Sequence, residues 1–331
     1  MRTKIGLLGC GNVGRGFVEL VGRERERIRA RSGVDLEIVK ILVRDLGKPR
    51  RGVDRALLTT SAIDVIDSDC DVVVELVGGV HCAGAYVRRA IDLGRDVVTA
   101  NKALLAAEGR ELFAAARRRG VRLGFEASVC GGVPIVRALQ RGLAGDSIES
   151  ITAILNGTCN YVLTRMEDDG LELEAALAEA QRKGFAEADP SLDVDGDDAA
   201  QKLRILAGVA FHAPVRSLQV HGIRDVTRAE VEGARSRRCV VRHVATARRV
   251  AGGVELRVER RELPEMHPLA AAKGENNAVL IRGRAVGELL FAGKGAGSLP
   301  TAAAVLSDVI EIAGESRRRL GGRIAGVPPA A

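Results

Sequence analysis

A glycine-rich turn behind the first apolar segment places the strongest constraint on the fold of this chain. The sequence KIGLLGCGNVGRGF, residues 4–17, sets Gly9, Gly11 and Gly14 in the spacing G-x-G-x-x-G after a short strand. The first glycine permits a tight turn, the second allows a pyrophosphate to approach, and the third lets the following helix pack on the sheet. Because a helix N-terminus favours an anion, we predict a dinucleotide site that also includes Asn12 and Val13. The alternative is a glycine-rich turn without a ligand.

The rest of the first third alternates short apolar strands with amphipathic helices. The pattern covers the segments CDVVVELVGG (70–79), AYVRRAIDLG (85–94), RDVVTANKALLA (95–106) and VRLGFEASV (121–129). Unbroken apolar strands between such helices indicate a parallel sheet covered on both faces, an α/β fold of the Rossmann type. Ligands bind beyond the carboxyl ends of the strands, which places Gly78–Gly79, Thr99–Lys102 and Glu126–Gly132 along one rim. Lys102 would reach the nicotinamide or the substrate there; otherwise it is a surface lysine that begins a helix.

The end of the second strand bears on the choice of dinucleotide. An acidic residue there favours NAD, because its carboxylate binds the 2′-hydroxyl of the adenosine ribose. After LEIVKILV (36–43) the chain has Arg44, then Asp45, then Lys48 and Arg50. The three basic residues favour a 2′-phosphate and hence NADP, while Asp45 keeps NAD possible.

The pattern changes after Pro134, where a second domain is predicted. An amphipathic helix covers ELEAALAEAQRKGF (172–185), and short β-type segments alternate with helical ones from 218 to 290. We expect a mixed or antiparallel sheet in an α+β domain over residues 134–294. The dinucleotide domain then comprises residues 1–133 and is completed by a returning helix at 295–316, and residues 317–331 are expected to form a flexible tail.

The most unusual segment of the second domain is FAEADPSLDVDGDDAAQKLRIL (185–206), which carries six carboxylates between Glu187 and Asp198. A calcium loop of the EF-hand type that begins at Asp193 would need Gly at its sixth position and Glu at its twelfth. The chain has Asp198 and Arg204 there, so that interpretation fails. Acidic residues also favour the first turn of a helix, but capping does not explain the lysine that follows at position 202.

Helical geometry places that lysine on an apolar face. In a helix that begins near Asp197, each residue advances by about 100°, so Lys202 lies about 40° from Asp198 within the arc formed by apolar side chains. An exposed i,i+4 ion pair is the simpler alternative and contributes little stability. An isolated buried ammonium is costly, so we predict a functional role for Lys202 and Asp198.

Composition excludes several other classes of protein. The net charge is +7, but only eight of the fifty basic residues are lysine, and the arginines are spread along the chain. With 2% aromatic residues and no Trp, platforms for stacking bases are missing, which leaves nucleic-acid binding a weak alternative. The longest apolar runs are far shorter than the roughly 18 residues of a membrane span, and six scattered cysteines form no C-x-x-C pair. We therefore expect a cytoplasmic protein with reduced thiols, no structural zinc, and neither a nucleic-acid nor a membrane partner.

Seven stretches of this sequence resemble homoserine dehydrogenases, in the order in which that family has them. They are GLLGCGNVG, VVVELVGGV, VVTANKALLA, FEASVCGGVPI, ILNGTCNYVLTRM, GFAEADPSLDVDGDDAAQKLRIL and GAGSLPTAAAVLSD. The resemblance runs from residue 3 to about residue 312. It implies reversible NAD(P)-dependent hydride transfer between L-homoserine and L-aspartate 4-semialdehyde, a small-molecule reaction on the route to threonine, methionine and isoleucine.

The resemblance also implies roles for individual residues. Lys202 is expected to exchange a proton with the substrate oxygen, Asp198 to hold that lysine and touch the substrate, and Glu187 to bind the substrate amino group. Asp193 and Thr158 complete the predicted substrate set, and Lys102 is expected at both cofactor and active site. The remaining cofactor positions are predicted at Arg44, Lys48, Gly78, Thr99, Gly184 and Gly297. A monovalent cation, commonly sodium in some members, would be held by Glu126 and by the backbone of Val129, Gly131 and Val133.

Further expectations follow from the family pattern and from departures from it. The second domain is expected to form a homodimer. Cys159 occupies a position where the family usually has threonine, and the sequence shows no match to the regulatory ACT domain of many members, so a short form without threonine feedback through that domain is expected. Two rival functions stay open: a phosphorylating semialdehyde dehydrogenase with Cys159 as nucleophile, and a non-catalytic NADP-binding sensor.

Overall fold

The computed structural model describes residues 2–319. The strands of this part of the chain are β1 (Arg2–Leu8), β2 (Asp35–Leu42), β3 (Leu58–Thr59), β4 (Val72–Glu75), β5 (Asp96–Thr99), β6 (Leu123–Gly124), β7 (Ile148–Ile154), β8 (Val215–Val220), β9 (Cys239–Val250), β10 (Gly253–Pro264), β11 (Asn276–Gly283) and β12 (Gly287–Lys294). Its α-helices are α1 (Asn12–Arg23), α2 (Arg25–Ser32), α3 (Ala62–Ile66), α4 (His81–Asp92), α5 (Lys102–Arg119), α6 (Ile135–Arg137), α7 (Gly157–Asp169), α8 (Leu173–Arg182), α9 (Ser191–Val194), α10 (Asp197–Phe211), α11 (Arg228–Ser236) and α12 (Ser298–Arg319). None of these described helices combines the length and apolar character that crossing a membrane requires.

The chain divides into two compact units. The first contains the residues up to Ser128 and those from Gly297 onward, and the second contains Val129–Ala296. The helix α12 continues to Arg319, past the predicted end at residue 316. The rest of the predicted flexible tail, from residue 320, lies outside the described residues.

The first unit is built on a six-stranded parallel sheet. Its strand order is β3-β2-β1-β4-β5-β6, and every pairing is parallel. The direction of winding reverses between β1 and β4, which is the position where sheets of this topology bind dinucleotides. The predicted Rossmann-type sheet is therefore confirmed.

Alternate residues of the central strands fill two separate cores. Ile5, Leu7 and Val74 pack on one side with α1 and α12, whereas Leu8 and Val73 pack on the other with α3, α4 and α5. Both sides of the sheet exclude water, which explains why these strands are continuously apolar. Hydrophobic burial of this kind contributes about 25 cal/mol per Å².

The last strand of this sheet differs from its prediction. A strand of four or five residues was expected within 121–129, with Glu126 beyond its end, but β6 contains only Leu123–Gly124, and Glu126–Ser128 form a 3₁₀ turn. The reason lies in α12: Asp308 packs against Gly124, and its Oδ2 accepts a hydrogen bond from the Glu126 backbone N–H at 2.8 Å. A side chain distant in sequence thus ends the strand early.

The second unit contains a mixed six-stranded sheet, as predicted. Its strand order is β12-β11-β7-β9-β10-β8. The pairings are antiparallel except for that of β8 with β10, which is parallel. The helices α7, α8 and α11 bury their apolar sides together in one core. These helices and α10 carry the polar groups described below.

Candidate active site

The turn between β1 and α1 has the geometry of a pyrophosphate site. Gly9 has φ +103°, and a Cβ there would lie 2.7 Å from the Leu76 carbonyl oxygen, so only glycine fits this turn. A Cβ at Gly14 would collide with the Gly9 carbonyl oxygen. Beside Gly11, by contrast, nothing lies within 4 Å of where a Cβ would be. The loop is therefore closely packed at Gly9 and Gly14 and has free space at Gly11. No side chain caps the first turn of α1 in the described structure, so its N–H groups suit a bound phosphate.

A buried carboxylate organises the adjacent strand ends. Glu75, the last residue of β4, is fully buried, and its Oε1 accepts hydrogen bonds from the N–H groups of Val77 and Gly78 at 2.9 and 3.0 Å. Its Oε2 accepts one from the Thr99 hydroxyl at 2.6 Å. Both carboxylate oxygens are therefore used to shape the backbone where the two strands end.

The same network fixes the start of α5. The Asn101 backbone N–H donates to the Thr99 hydroxyl oxygen at 3.0 Å, and its amide nitrogen donates to the Gly79 carbonyl at 2.6 Å. Its amide oxygen caps the helix by accepting from the Leu104 N–H at 3.0 Å. Lys102, the first residue of α5 and half-buried, is held in place by this cap. Sequence analysis placed Asn101 on this rim within the range Thr99–Lys102 without giving it a role, and it did not select Glu75, although an acid at the end of an apolar strand was a usable signal.

The loop after β2 keeps two cations exposed. Asp45 is engaged locally, because its Oδ1 accepts from the Gly47 N–H at 2.7 Å. Arg50 is also engaged, since it donates to the backbone carbonyls of Asp45 and Lys48 at 2.9 and 2.8 Å. The side chains of Arg44 and Lys48 are exposed. Of the three basic residues seen in the sequence, Arg44 and Lys48 thus remain exposed, and Arg50 stabilises the loop.

In the second unit, Lys202 lies on the buried side of α10. Its side chain is 13% exposed, and its ammonium donates to Asp198 Oδ2 at 2.7 Å and to the Leu155 carbonyl oxygen at 2.8 Å. Burial lowers the pKa of Lys202, but the charge and hydrogen bond of Asp198, with smaller contributions from Cys130 and Asp193, together raise it by more, so the pKa lies above its ordinary value. The group is an ammonium at neutral pH, and its two acceptors in the described part of the chain leave one of its three N–H bonds for another partner.

The amide of Asn156 joins two of the acids that precede this lysine. Its nitrogen donates to Asp193 Oδ1 at 2.6 Å and to Asp198 Oδ2 at 2.9 Å, while its oxygen accepts from the Cys159 N–H at 2.7 Å. This last bond caps α7. The structure therefore brings together Asp193, Asp198 and Lys202 through a residue that sequence analysis did not select.

Thr158 and Cys159 both lie in the first turn of α7 and are buried. The Thr158 hydroxyl donates to the Phe185 carbonyl oxygen at 2.7 Å, and the Cys159 Sγ donates to the Asp193 carbonyl oxygen at 3.1 Å. Burial raises the pKa of the Cys159 thiol well above its usual value. Since the thiolate is the nucleophilic form, this environment suppresses the chemistry that the rival semialdehyde dehydrogenase would need.

Glu187 lies in the segment between α8 and α9, and its side chain is exposed. The segment begins at Gly184, which has φ +76°, and is fixed by Gln181, whose amide donates to the Glu187 carbonyl oxygen at 3.1 Å. The backbone is therefore anchored while the carboxylate faces solvent.

The residues predicted to hold a cation belong to both units. Glu126 is buried in the first unit, while Val129, Gly131 and Val133 are buried in the second. Cys130, between them, has φ +54°, which is unusual for a residue other than glycine. In the described residues, no three His, Cys, Asp or Glu side chains form a group that could hold a metal ion. The predicted cofactor residue Gly297 lies in the first unit, just before α12.

Comparison with known proteins identifies the family. Residues 134–310 match the family described as homoserine dehydrogenase, and residues 9–126 match the NAD-binding domain of homoserine dehydrogenase. This chain belongs to the homoserine dehydrogenase family. It is 42% identical over 313 residues to the homoserine dehydrogenase of Bacillus subtilis, which covers 93% of this chain and 72% of that protein. It is also 42% identical to that of Corynebacterium glutamicum, over 97% of this chain and 74% of the relative.

Solved structures agree with this assignment. A homoserine dehydrogenase from Thiobacillus denitrificans matches with a TM-score of 0.93 and 42% identity, over 96% of this chain and 74% of the other. A protein described as a putative homoserine dehydrogenase from Archaeoglobus fulgidus matches with a TM-score of 0.83 and 38% identity, over 94% and 99% of the two chains. A hyperthermophilic archaeal homoserine dehydrogenase in complex with NADPH matches with a TM-score of 0.81 and 27% identity, over 98% and 100%.

The predicted activity is therefore confirmed. This homoserine dehydrogenase interconverts L-homoserine and L-aspartate 4-semialdehyde with a nicotinamide dinucleotide as cofactor. It is an oxidoreductase, which removes the rival interpretation as a non-catalytic sensor. The loop at Gly9, Gly11 and Gly14 has the shape that such a cofactor needs.

Proposed function

We propose that Lys202 exchanges a proton with the substrate oxygen in this reaction. The observation that carries the proposal is the arrangement of its ammonium: two N–H bonds are donated to Asp198 Oδ2 and the Leu155 carbonyl oxygen. The third N–H bond remains for a substrate oxygen. Because these two hydrogen bonds already fix the orientation of the largely buried ammonium, little further entropy is lost when it meets the substrate, which favours catalysis.

The chemistry at this lysine differs between the two directions. A bound nicotinamide dinucleotide supplies or accepts the hydride at C4 of the substrate. During reduction of the aldehyde, the Lys202 ammonium would stabilise the developing alkoxide and then give it a proton. During oxidation of homoserine, neutral Lys202 would take the hydroxyl proton. Because the pKa of Lys202 is raised, oxidation should require a more alkaline solution than reduction.

The substrate amino group has three candidate partners. Glu187 offers an exposed carboxylate, the natural partner of an α-ammonium. Asp193 is held by Asn156 at 2.6 Å and has a second carboxylate oxygen. The Thr158 hydroxyl donates to the Phe185 carbonyl, and its own lone pairs can still accept. We propose that these three residues and Asp198 bind homoserine.

For the cofactor we propose NADP in preference to NAD. The exposed cations Arg44 and Lys48 follow β2, where a 2′-phosphate would lie, and the Asp45 carboxylate is bonded to its own loop. An archaeal relative binds NADPH. Gly78, Thr99, Lys102, Gly184 and Gly297 are the further proposed cofactor positions. The Thr99 hydroxyl donates to Glu75, so its proposed contribution is to position the backbone at the cofactor site.

We also propose a monovalent cation, with sodium the first choice, at Glu126 and the carbonyl oxygens of Val129, Gly131 and Val133. Oxygen ligands suit such a hard ion. Cys130 in this buried loop has φ +54°, a backbone conformation that costs free energy for residues other than glycine. Such strained residues cluster at binding sites, which supports a ligand at this loop.

Assembly and cellular context complete the proposal. We propose a homodimer formed through the second unit, whose strand β12 lies at one edge of its sheet and has an exposed Leu290. Unpaired edge strands favour association. The enzyme is proposed to act in the cytoplasm on the route to threonine, methionine and isoleucine.

The test is a spectrophotometric assay of homoserine-dependent reduction of NADP⁺ and NAD⁺. Lys202→Met keeps the length of the side chain and removes the charge, and we expect kcat to fall by about 10²- to 10⁴-fold, the contribution typical of a positioned general acid. The matched control is Lys273→Met, at a half-exposed lysine of the same unit that pairs with Asp168.

Two results would count against these proposals. If Lys202→Met kept the wild-type kcat while retaining its fold, the assigned proton transfer would be wrong. If kcat/KM were higher with NAD⁺ than with NADP⁺, and Arg44→Ala left the ratio unchanged, the cofactor preference would be wrong while the role of Lys202 would stand.

A further inference from the structure

We propose that Asn156 is a positioning residue for this reaction: its amide holds the Asp193 and Asp198 carboxylates side by side and aims Asp198 at Lys202. The inference rests on the proposed role of Lys202. Asn156 is buried, with 3% of its surface exposed. Both hydrogens of its amide are used, one toward each acid.

The orientation of this amide is set by its surroundings. The amide oxygen accepts from the Cys159 N–H at 2.7 Å, and the nitrogen faces two carboxylate oxygens at 2.6 and 2.9 Å. Exchanging oxygen and nitrogen would put three acceptors against one another and leave the helix N–H facing a donor. Only the observed orientation satisfies all four groups.

The amide matters because of the charges that it separates. Two carboxylates sharing one site repel each other, and one of them then tends to be protonated. Two N–H donors between them offset this repulsion, since a hydrogen bond to a carboxylate oxygen stabilises its negative charge. Asp198 Oδ2 receives Lys202 and Asn156 together, so the amide also fixes the direction from which the carboxylate meets the ammonium.

Other titratable groups face this pair of acids. The charge of Asp198 acts on Lys202 of α10, Cys159 of α7 and His243 of β9. At the edge of this group, Asp195 in the turn before α10 acts on Cys159, and Cys130 in the loop after Ser128 acts on Lys202. Lys202 forms an ion pair with Asp198 at 2.7 Å, and Asn156 is the residue that joins this pair to Asp193.

Three variants separate this role from simple capping of α7. Serine and aspartate can cap α7, whereas alanine caps it poorly. Serine and alanine both lack the two amide N–H donors, and aspartate places a third carboxylate beside the two acids. We expect Asn156→Ser and Asn156→Ala to lower kcat/KM by a similar factor of about 10 to 100, the loss of hydrogen bonds to a charged group. Asn156→Asp should be the least active, and the acidic limb of the pH profile should move to higher pH in all three.

The measurement is kcat/KM for homoserine against pH, with the thermal midpoint recorded for each variant. If Asn156→Asp and Asn156→Ser matched wild type and only Asn156→Ala lost activity, capping would be the whole role and the inference would be overturned. An acidic limb that stays in place in every variant would overturn it too. Lys202→Met is measured in the same assay to distinguish the two proposals. Wild-type kcat in Lys202→Met would refute proton transfer by Lys202, whereas the order of activity among the Asn156 variants tests the positioning role.

Discussion

The buried imidazole of His243 should make the stability of this enzyme depend on pH in a predictable way. His243 lies on β9 with 2% of its surface exposed, and its Nε2 is 3.1 Å from the His221 carbonyl oxygen. Since a carbonyl only accepts, Nε2 carries the hydrogen. The other nitrogen, Nδ1, is buried with no partner among the described residues, so a second proton would have no acceptor.

This environment sets the size of the effect. Burial lowers the pKa of His243 from 6.5 to about 4, a difference of about 2.5 units, and each unit corresponds to about 1.36 kcal/mol. Between these two values the unfolded chain binds a proton that the folded chain does not. Stability therefore rises with pH through that window and is lost as the pH falls from 6.5 toward 4. The full loss is about 3 kcal/mol, with about 2 kcal/mol of it reached by pH 4.5.

The perturbation is His243→Gln, which can still donate to the His221 carbonyl but does not titrate. Urea unfolding followed by circular dichroism at several values between pH 7.5 and 4.5 gives the free energy of unfolding for each protein. We expect wild type to lose about 2 kcal/mol more than His243→Gln over this range. His81→Gln, at an exposed histidine in α4, is the matched control.

Parallel pH dependence in wild type and His243→Gln would refute this reasoning. It would mean that the folded protein accommodates the second proton, for instance through an acceptor that reaches Nδ1. A steeper dependence in the variant would reverse the sign and contradict the assignment of a neutral imidazole.

Four further variants test the site. Gly14→Ala should lower stability by about 1–3 kcal/mol, because its Cβ meets the Gly9 carbonyl, while Gly11→Ala should keep its thermal midpoint and weaken NADPH binding measured by fluorescence. Cys159→Ser should keep kcat within about tenfold of wild type, because a buried thiol with a raised pKa is not a nucleophile. Glu187→Gln should raise KM for homoserine by about tenfold or more with a smaller change in kcat, a loss of roughly 1.4 kcal/mol of binding.

Local patterns in the sequence predicted the local structure well. The spacing of Gly9, Gly11 and Gly14 requires a turn that the backbone adopts, and a helix from Asp197 turns Asp198 and Lys202 toward the interior. Both predictions depend on the periodicity of neighbouring residues, which the chain itself enforces.

Contacts between distant residues could not be predicted in the same way. Asn156 meets Asp198 across 42 positions, and Asp308 ends β6 across 182 positions by bonding to Glu126. Glu75 and His243 lie within β4 and β9, whose runs of apolar residues indicate burial but not the partner of a polar side chain. Pairings of this kind depend on strand order and helix packing, which a single sequence leaves open.

Four of the six crowded acids before Lys202 divide into two groups with different roles. Asp189 accepts from the backbone and hydroxyl of Ser191, and Asp195 forms an ion pair with Arg224 at 2.7 Å, so these two shape the turns of the segment. Asp193 and Asp198 instead share one buried amide. A buried ion pair seldom adds stability by itself; what Asp198 provides is a charged lysine where burial alone would favour a neutral one. In the proposed mechanism this charged lysine supplies the proton to the aldehyde oxygen, and the same carboxylate makes the return of that proton from homoserine the more demanding direction.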